Sequence, residues 1–183
     1  YNGNIKLQRV YLGSLFGLKE VGKVTLDLDL NGRGFDPENA YASLKGNIAQ
    51  LDFNDYSYRN INVNGKFKKP IFNGKVSVND PNLRMDFDGL ADLSAAVNTY
   101  DIKAIINYAD LNAINLFKRD SIAILKGEVV MKMKGTTLDD AEGTIDITDA
   151  SYKNPNDNYI FNDFRIASSF KNKERFISIN STD

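Results

Sequence analysis

The sequence predicts an all-β protein: an elongated, curled antiparallel sheet with an open groove, built from two repeated modules and carrying one short helix. Three observations lead there. Apolar residues recur with period two along most of the chain, the signature of strands with one covered and one solvated face. Turn-forming clusters of Asn, Asp, Gly and Pro interrupt these runs at short intervals. Finally, the stretch Tyr58-Arg-Asn-Ile-Asn-Val-Asn-Gly-Lys-Phe67 recurs as Phe161-Asn-Asp-Phe-Arg-Ile-Ala-Ser-Ser-Phe170, and repetition of a strand unit marks a stacked array.

Taken in order, the elements read as follows. Val24, Leu26, Leu28 and Leu30 alternate with Thr25, Asp27 and Asp29, so one face of this strand is aliphatic and the other polar. Asn31-Gly32-Arg33-Gly34 supplies a turn, and Asp36-Pro37-Glu38-Asn39 a cap followed by Pro, enough for one helical turn. Ile48 and Leu51 fall on opposite parities, which predicts a β-bulge near Ala49-Gln50. Ile61, Val63 and Phe67 share a face with Gly65; Asn64-Gly65 lies inside the strand and marks a bulge or a close-packed crossing. Phe72-Asn73-Gly74 reads as a turn before Val76 and Val78, and Asn79-Asp80-Pro81-Asn82 as another after them.

Leu83, Met85 and Phe87 alternate with Arg84, Asp86 and Asp88, and Ile102, Ala104, Ile106 and Tyr108 continue the pattern. Leu111, Ile114 and Phe117 then change the period, predicting a two-turn amphipathic helix over 110–118 capped by Asp110. Val129, Met131 and Met133 alternate with Lys132 and Lys134; Ile145 and Ile147 form the next run. Asn154-Pro155-Asn156-Asp157 turns the chain into Phe164, Ile166 and Phe170. Around the repeat, Leu44-Lys45-Gly46-Asn47-Ile48 answers to Ala141-Glu142-Gly143-Thr144-Ile145, and Val76-Ser77-Val78-Asn79 to Ile177-Ser178-Ile179-Asn180. The organisation is thus one piece, 1–183, with a first module at 22–80, connecting strands and a helix at 81–126, and a second, incomplete module at 127–183.

Composition removes several function classes. The 183 residues carry 23 basic and 24 acidic side chains, a formal net charge of −1, without the basic footprint that nucleic acid requires. Cys and His are both absent, which excludes thiolate metal sites, Cys or Ser-His-Asp nucleophilic devices and His-bearing zinc centres. Trp is absent too. No run approaches the ~20 apolar residues of a spanning helix. The chain opens on Tyr1 without a leader and ends inside a strand-like pattern, which we read as a piece of a longer protein whose anchor lies outside it. The reading is a non-enzyme, with neither cofactor nor metal.

Several pairs and clusters of charged residues are candidate sites. Asp27-x-Asp29 and Asp86-x-Asp88 place two carboxylates on one strand face, where they could share a cation; their aliphatic neighbours favour a solvated face instead. Asp139-Asp140 is a third pair. Lys66, Lys68 and Lys69, and later Lys171, Lys173 and Arg175, form basic knots at matching places in the modules; they could touch anionic lipid headgroups, but charged strand ends that deter edge-to-edge aggregation are the favoured reading. Gly32-x-Gly34 is isolated and makes no phosphate loop.

The succession Gly127-Glu-Val-Val-Met-Lys-Met-Lys-Gly135, Thr136 to Gly143, Ile145-x-Ile147, Tyr152 and Tyr159-x-Phe161-x-Asp163-Phe164 resembles the periplasmic repeat region of the TamB (translocation and assembly module) family, within the AsmA-like group and most like its Bacteroidota members. Gly22 to Leu30, Gly34 to Gly46 and Tyr56 to Phe67 repeat the succession, and Tyr108 to Phe117 resembles the family's segment between modules. The resemblance covers nearly the whole chain through a degenerate pattern. It implies a β-taco-like groove in a protein anchored in the inner membrane of a Gram-negative bacterium and crossing the periplasm. It further implies phospholipid transport toward the outer membrane, and a part in outer-membrane biogenesis and secretion with an outer-membrane β-barrel assembly partner. It brings no catalytic motif.

Two mechanisms follow, from different classes. In the first, phospholipid acyl chains lie along a groove lined by Val24, Leu26, Leu28, Leu30, Ile61, Val63, Phe67, Val76, Val78, Leu83, Met85, Phe87, Ile102, Ile106, Val129, Met131, Met133, Ile145, Ile147, Phe164, Ile166 and Phe170, with Asp27, Asp29, Arg84, Asp86, Lys132 and Lys134 outside. In the second, the module is structural or chaperone-like, and its sheet edges pair with strands of barrel precursors. An open trough and a self-packed sandwich demand the same alternation, so the pattern does not choose between them.

Overall fold

The computed structural model describes residues 2–13, 20–33, 41–68, 71–92, 96–136, 140–172 and 174–182. These form one antiparallel sheet of eleven strands in sequence order: β1 (Asn2–Tyr11), β2 (Val21–Arg33), β3 (Tyr41–Phe53), β4 (Tyr56–Lys68), β5 (Ile71–Asn79), β6 (Leu83–Asp92), β7 (Thr99–Asp110), β8 (Ile124–Lys134), β9 (Glu142–Lys153), β10 (Asn158–Lys171) and β11 (Glu174–Ser181). The sheet is an uninterrupted meander in which β1 and β11 are its two edges and do not pair, so it is neither a barrel nor a sandwich.

Local chemistry explains the meander. At the β3–β4 turn Asn54 and Asp55 both take positive φ (50° and 59°), as a two-residue hairpin requires, and Asn and Asp tolerate that region best among residues with a side chain. At the β9–β10 turn the Asn154 side-chain oxygen accepts from the backbone N–H groups of Asn156 and Asp157 (2.9 and 2.8 Å). Two turns expected from the sequence lie elsewhere. Phe72-Asn73-Gly74 is inside β5, and Asn31 to Arg33 complete β2, because cross-strand pairing outweighs the local preference of Asn and Gly. The expected helical turn at 36–39 lies outside the described residues.

The predicted helix over 110–118 is corrected to a single turn. Asp110 caps it as expected, its carboxylate accepting from the Ala113 N–H (3.1 Å) and its carbonyl from the Ile114 N–H (3.1 Å). Asn115 then adopts φ 62° and ends the turn. A second turn would remove Asn115 from its contacts with Asn54 across the sheet, so tertiary hydrogen bonding outcompetes helix propagation.

A band of irregularities crosses the sheet at one height. The register shifts between Leu7 and Val10, Thr25 and Leu26, Arg84 and Met85, Ile106 and Ala109, and Lys126 and Glu128; positive φ at Arg9, Asn60 and Asp149 falls in the same band. Ala49 is the extra residue opposite Thr25 and Leu26, the bulge expected from parity. Bulges bend a strand and raise its twist, so aligned bulges crease the whole sheet.

The repeat falls on β2–β5 and β8–β11. Val63 pairs with Gly46 and Val76, and its counterpart Ile166 with Ile145 and Ile179. The flanking matches read from the sequence are therefore each displaced by two residues. An even slip leaves every side chain on its face.

Candidate functional site: the apolar face of the sheet

Residues opposite each other in an antiparallel ladder share a face, so register assigns every side chain. One row runs Ile5, Leu28, Gly46, Val63, Val76, Phe87, Ala104, Val129, Ile147, Phe164. A second runs Leu30, Leu44, Gly65, Gly74, Gly89, Ile102, Met131, Ile145, Ile166, Ile179. A third, beside the crease, holds Leu7, Leu26, Ile48, Ile61, Val78, Met85 and Ile106. Phe67 and Met133 belong to a fourth row with Phe72 and Tyr100. Val24 and Leu83 lie past the crease on the same side, and Phe170 follows Ser168 at the far end of β10. All the groove residues named from the sequence thus stand on one face.

Most of these side chains are not buried. Val24, Ile61 and Val78 are, whereas Leu28, Val63, Phe87, Met131, Ile147 and Ile166 are half-exposed and Phe67 and Phe170 are exposed. A self-packed sandwich would bury them all, so burial decides for an open face. In the middle of the second row stand Gly65, Gly74 and Gly89, which bring no side chain to this face. A Cβ on Gly65 would come within 2.9 Å of the Phe72 ring, which occupies that space and lies 6.4 Å from the Phe87 ring. Toward the open end, a hollow of about 340 Å³ is lined by Tyr100, Met131, Met133 and Ile145.

The creased end is closed, a feature the sequence reading missed. The β7–β8 connection folds over the apolar face there, and Ile114, fully buried, packs with Tyr58, Ile61 and Val78 in the protein's main core cluster. The Tyr58 hydroxyl reaches the Ile114 carbonyl at 3.5 Å. Beside it, Asp80 is buried yet satisfied: one oxygen accepts from the Tyr56 hydroxyl (2.5 Å) and the Asn82 N–H (2.8 Å), the other from the Arg59 N–H (3.0 Å). Burial, and then the Asp80 carboxylate, push the Tyr56 hydroxyl up to about 12. Burial raises Tyr58 as well. The only advance signal for this corner was Ile114 in an apolar period, which says that it is covered but not by what.

The opposite face is polar, as expected for Asp27, Asp29, Arg84, Asp86, Lys132 and Lys134. The Asn4 amide donates to Asp27 (2.7 Å) and Asp29 (3.0 Å), and Lys6 pairs with Asp27 at 2.9 Å, holding that carboxyl below its usual range through the hydrogen bonds of Lys6 and then Asn4. Further cross-strand pairs are Lys75–Asp88, Lys103–Glu128, Arg165–Asp146 and Lys134–Glu142. Exposed pairs contribute little stability but oppose a slip of register. Asp140 accepts from the Thr136 N–H, and Asp139 lies outside the described residues. Of the basic knots, Arg175 donates to Ser168 (3.1 Å), while Lys69 and Lys173 lie outside the described residues. Among the described residues no cluster of metal-ligating side chains occurs, and no helix is long and apolar enough to cross a membrane.

A trough of about 790 Å³ also runs along this polar face, where Gly46, Val63, Val76 and Phe87 lie between two rows of Lys, Asn and Asp that also include Ser77 and Ile105. Its volume exceeds that of the apolar hollow, but apart from Ile105 the side chains that this face sends into it are charged or polar, so it offers an acyl chain no continuous apolar row. The apolar face is the candidate site. No family model, no curated protein and no solved structure matches this chain.

Proposed function

We propose that this chain is a periplasmic segment of an envelope-spanning protein whose apolar face carries phospholipid acyl chains between the inner and outer membranes of a Gram-negative bacterium, in support of outer-membrane biogenesis. The observation that carries the reading is the set of in-register apolar rows left half-exposed on one face of an unclosed sheet. Burial of each acyl methylene there contributes about 0.8 kcal/mol, with no headgroup contact required. Uniform rows suit a sliding cargo, since one strong site would trap it. The TamB-like sequence pattern supports the same reading, which includes no catalytic step.

The test is copurified lipid, by mass spectrometry, together with Val63→Asp and Ile166→Asp. A charge amid hydrocarbon costs about 2.5–3.5 kcal/mol. On an open face the carboxylate still reaches water, so both variants fold and lose lipid crosslinking. Undiminished lipid binding by the folded variants overturns the groove.

A second reading is a structural or chaperone module that pairs with strands of barrel precursors. It is favoured by one observation: β11 is exposed along its whole length and has a partner on one side only. Crosslinks from β11 to a bound strand, without lipid, would favour it.

A further inference from the structure

The loop between β7 and β8 has an outer side that the groove does not use. Ile114 points inward, whereas Leu116 (60 % exposed), Phe117 and Ile122 all present large apolar side chains to solvent. They cannot simply turn under. The N–H groups of Leu116 and Phe117 are both tied to the Leu111 carbonyl at 2.9 Å, and the Leu111 N–H to the Ala123 carbonyl at 2.8 Å. The Asn112 amide holds the Asp120 carbonyl at 2.8 Å, fixing the second half of the loop.

Charge on the loop is one-sided. Lys118 and Arg119 are exposed, and neither forms an ion pair within the described residues. The one carboxylate of the loop, Asp120, accepts from the Tyr152 hydroxyl at 2.7 Å. Phe117 and Arg119 also line one depression of about 390 Å³ with Leu111, Asp120, Tyr152, Asn154 and Asn156, which sets a cation next to an aromatic ring, with the Asp120 carboxylate engaged by Tyr152. The neighbouring strand ends at this edge of the sheet carry Tyr11, Phe53, Tyr159 and Ile160, all exposed. Amphipathic rings and aliphatics beside exposed cations match the headgroup region of a bilayer, where the rings sit at the boundary and the cations meet phosphate.

We propose that this loop docks the closed end of the sheet onto an anionic phospholipid bilayer, with Leu116, Phe117 and Ile122 entering the interface and Lys118 and Arg119 on lipid phosphates. The proposal does not depend on lipid in the groove.

The chain contains no Trp, so Phe117→Trp gives a single reporter. With vesicles of mixed phosphatidylglycerol and phosphatidylcholine its emission shifts to the blue and the protein floats with the vesicles; with phosphatidylcholine alone binding is weaker. Lys118→Glu with Arg119→Glu lowers the partition coefficient on the order of twentyfold or more, from about fivefold per cation lost. Leu116→Ser with Phe117→Ser abolishes flotation while circular dichroism stays that of a sheet. Absence of flotation by the unaltered chain, or equal flotation by both double variants, overturns the proposal and leaves a protein partner as the occupant. The groove variant Val63→Asp floats normally, so failure of the groove reading and failure of this one are separable.

Discussion

Asn54 and Asn115, sixty-one residues apart, exchange hydrogen bonds: each side-chain amide donates to the other's backbone carbonyl, at 3.1 and 3.2 Å. This reciprocal clasp joins the β3–β4 turn to the β7–β8 loop at the closed end of the apolar face. Both residues hold positive φ, so each side chain serves a turn and the clasp together.

Asn115→Ala loses the hydrogen bond that its amide donates to Asn54 and forces Ala into the left-handed region, at a total cost of about 2–3 kcal/mol. Asn115→Gly keeps the conformation and loses only that one bond, at about 1 kcal/mol. Urea midpoints of the two variants measure the gap. Equal losses would mean that the backbone at this position is not held as described.

Ile114→Ala removes a fully buried side chain from the core cluster, and about 2–4 kcal/mol is expected. Leu116→Ala, two residues on and mostly exposed, should change stability by less than about 0.5 kcal/mol. A reversed order would mean that the loop sits on the sheet the other way up.

Asp80→Asn replaces an all-acceptor carboxylate with a group that must direct an N–H₂ at one of three donors, at a cost of about 1–3 kcal/mol. The same corner makes stability depend on pH. The Tyr56 hydroxyl titrates at about 12 in the folded chain and at about 10 when unfolded, so its proton is held more tightly in the fold. Its contribution is complete below about pH 10 and is lost as pH rises toward about 12. Chemical denaturation at about pH 9 and pH 11 should show a larger fall for the unaltered chain than for Tyr56→Phe.

Hydrogen exchange should be graded across the sheet. The buried side chains of β4 and β5 place them at the slow end, and β11, exposed throughout, at the fast end. Uniform protection from β1 to β11 would argue for a cover over the whole apolar face.

Period two alone was enough to place Val63, Phe87, Met131 and Ile166 on one face and Asp27, Asp86 and Lys132 on the other. Pleating makes that assignment local, and each strand carries it independently. The bulge at Ala49 was legible for the same reason, since a parity change between Ile48 and Leu51 is visible without knowing any partner. The register was not: β10 pairs two residues away from the sequence match, because turn length sets register and an even slip is invisible to an alternating pattern.

By itself, then, the sequence determined strand identity, face and the open-ended array. Only the tertiary structure decided that the apolar face stays uncovered over most of its length yet is shut at one end. The crease needs bulges from many strands to align, and the clasp needs Asn115 to meet Asn54 across strands that pairing alone brings together. Asn115 reads as an ordinary helix residue until that contact exists. The hydrogen bonds it then makes end the helix after one turn, bury Ile114 and turn Leu116 and Phe117 outward.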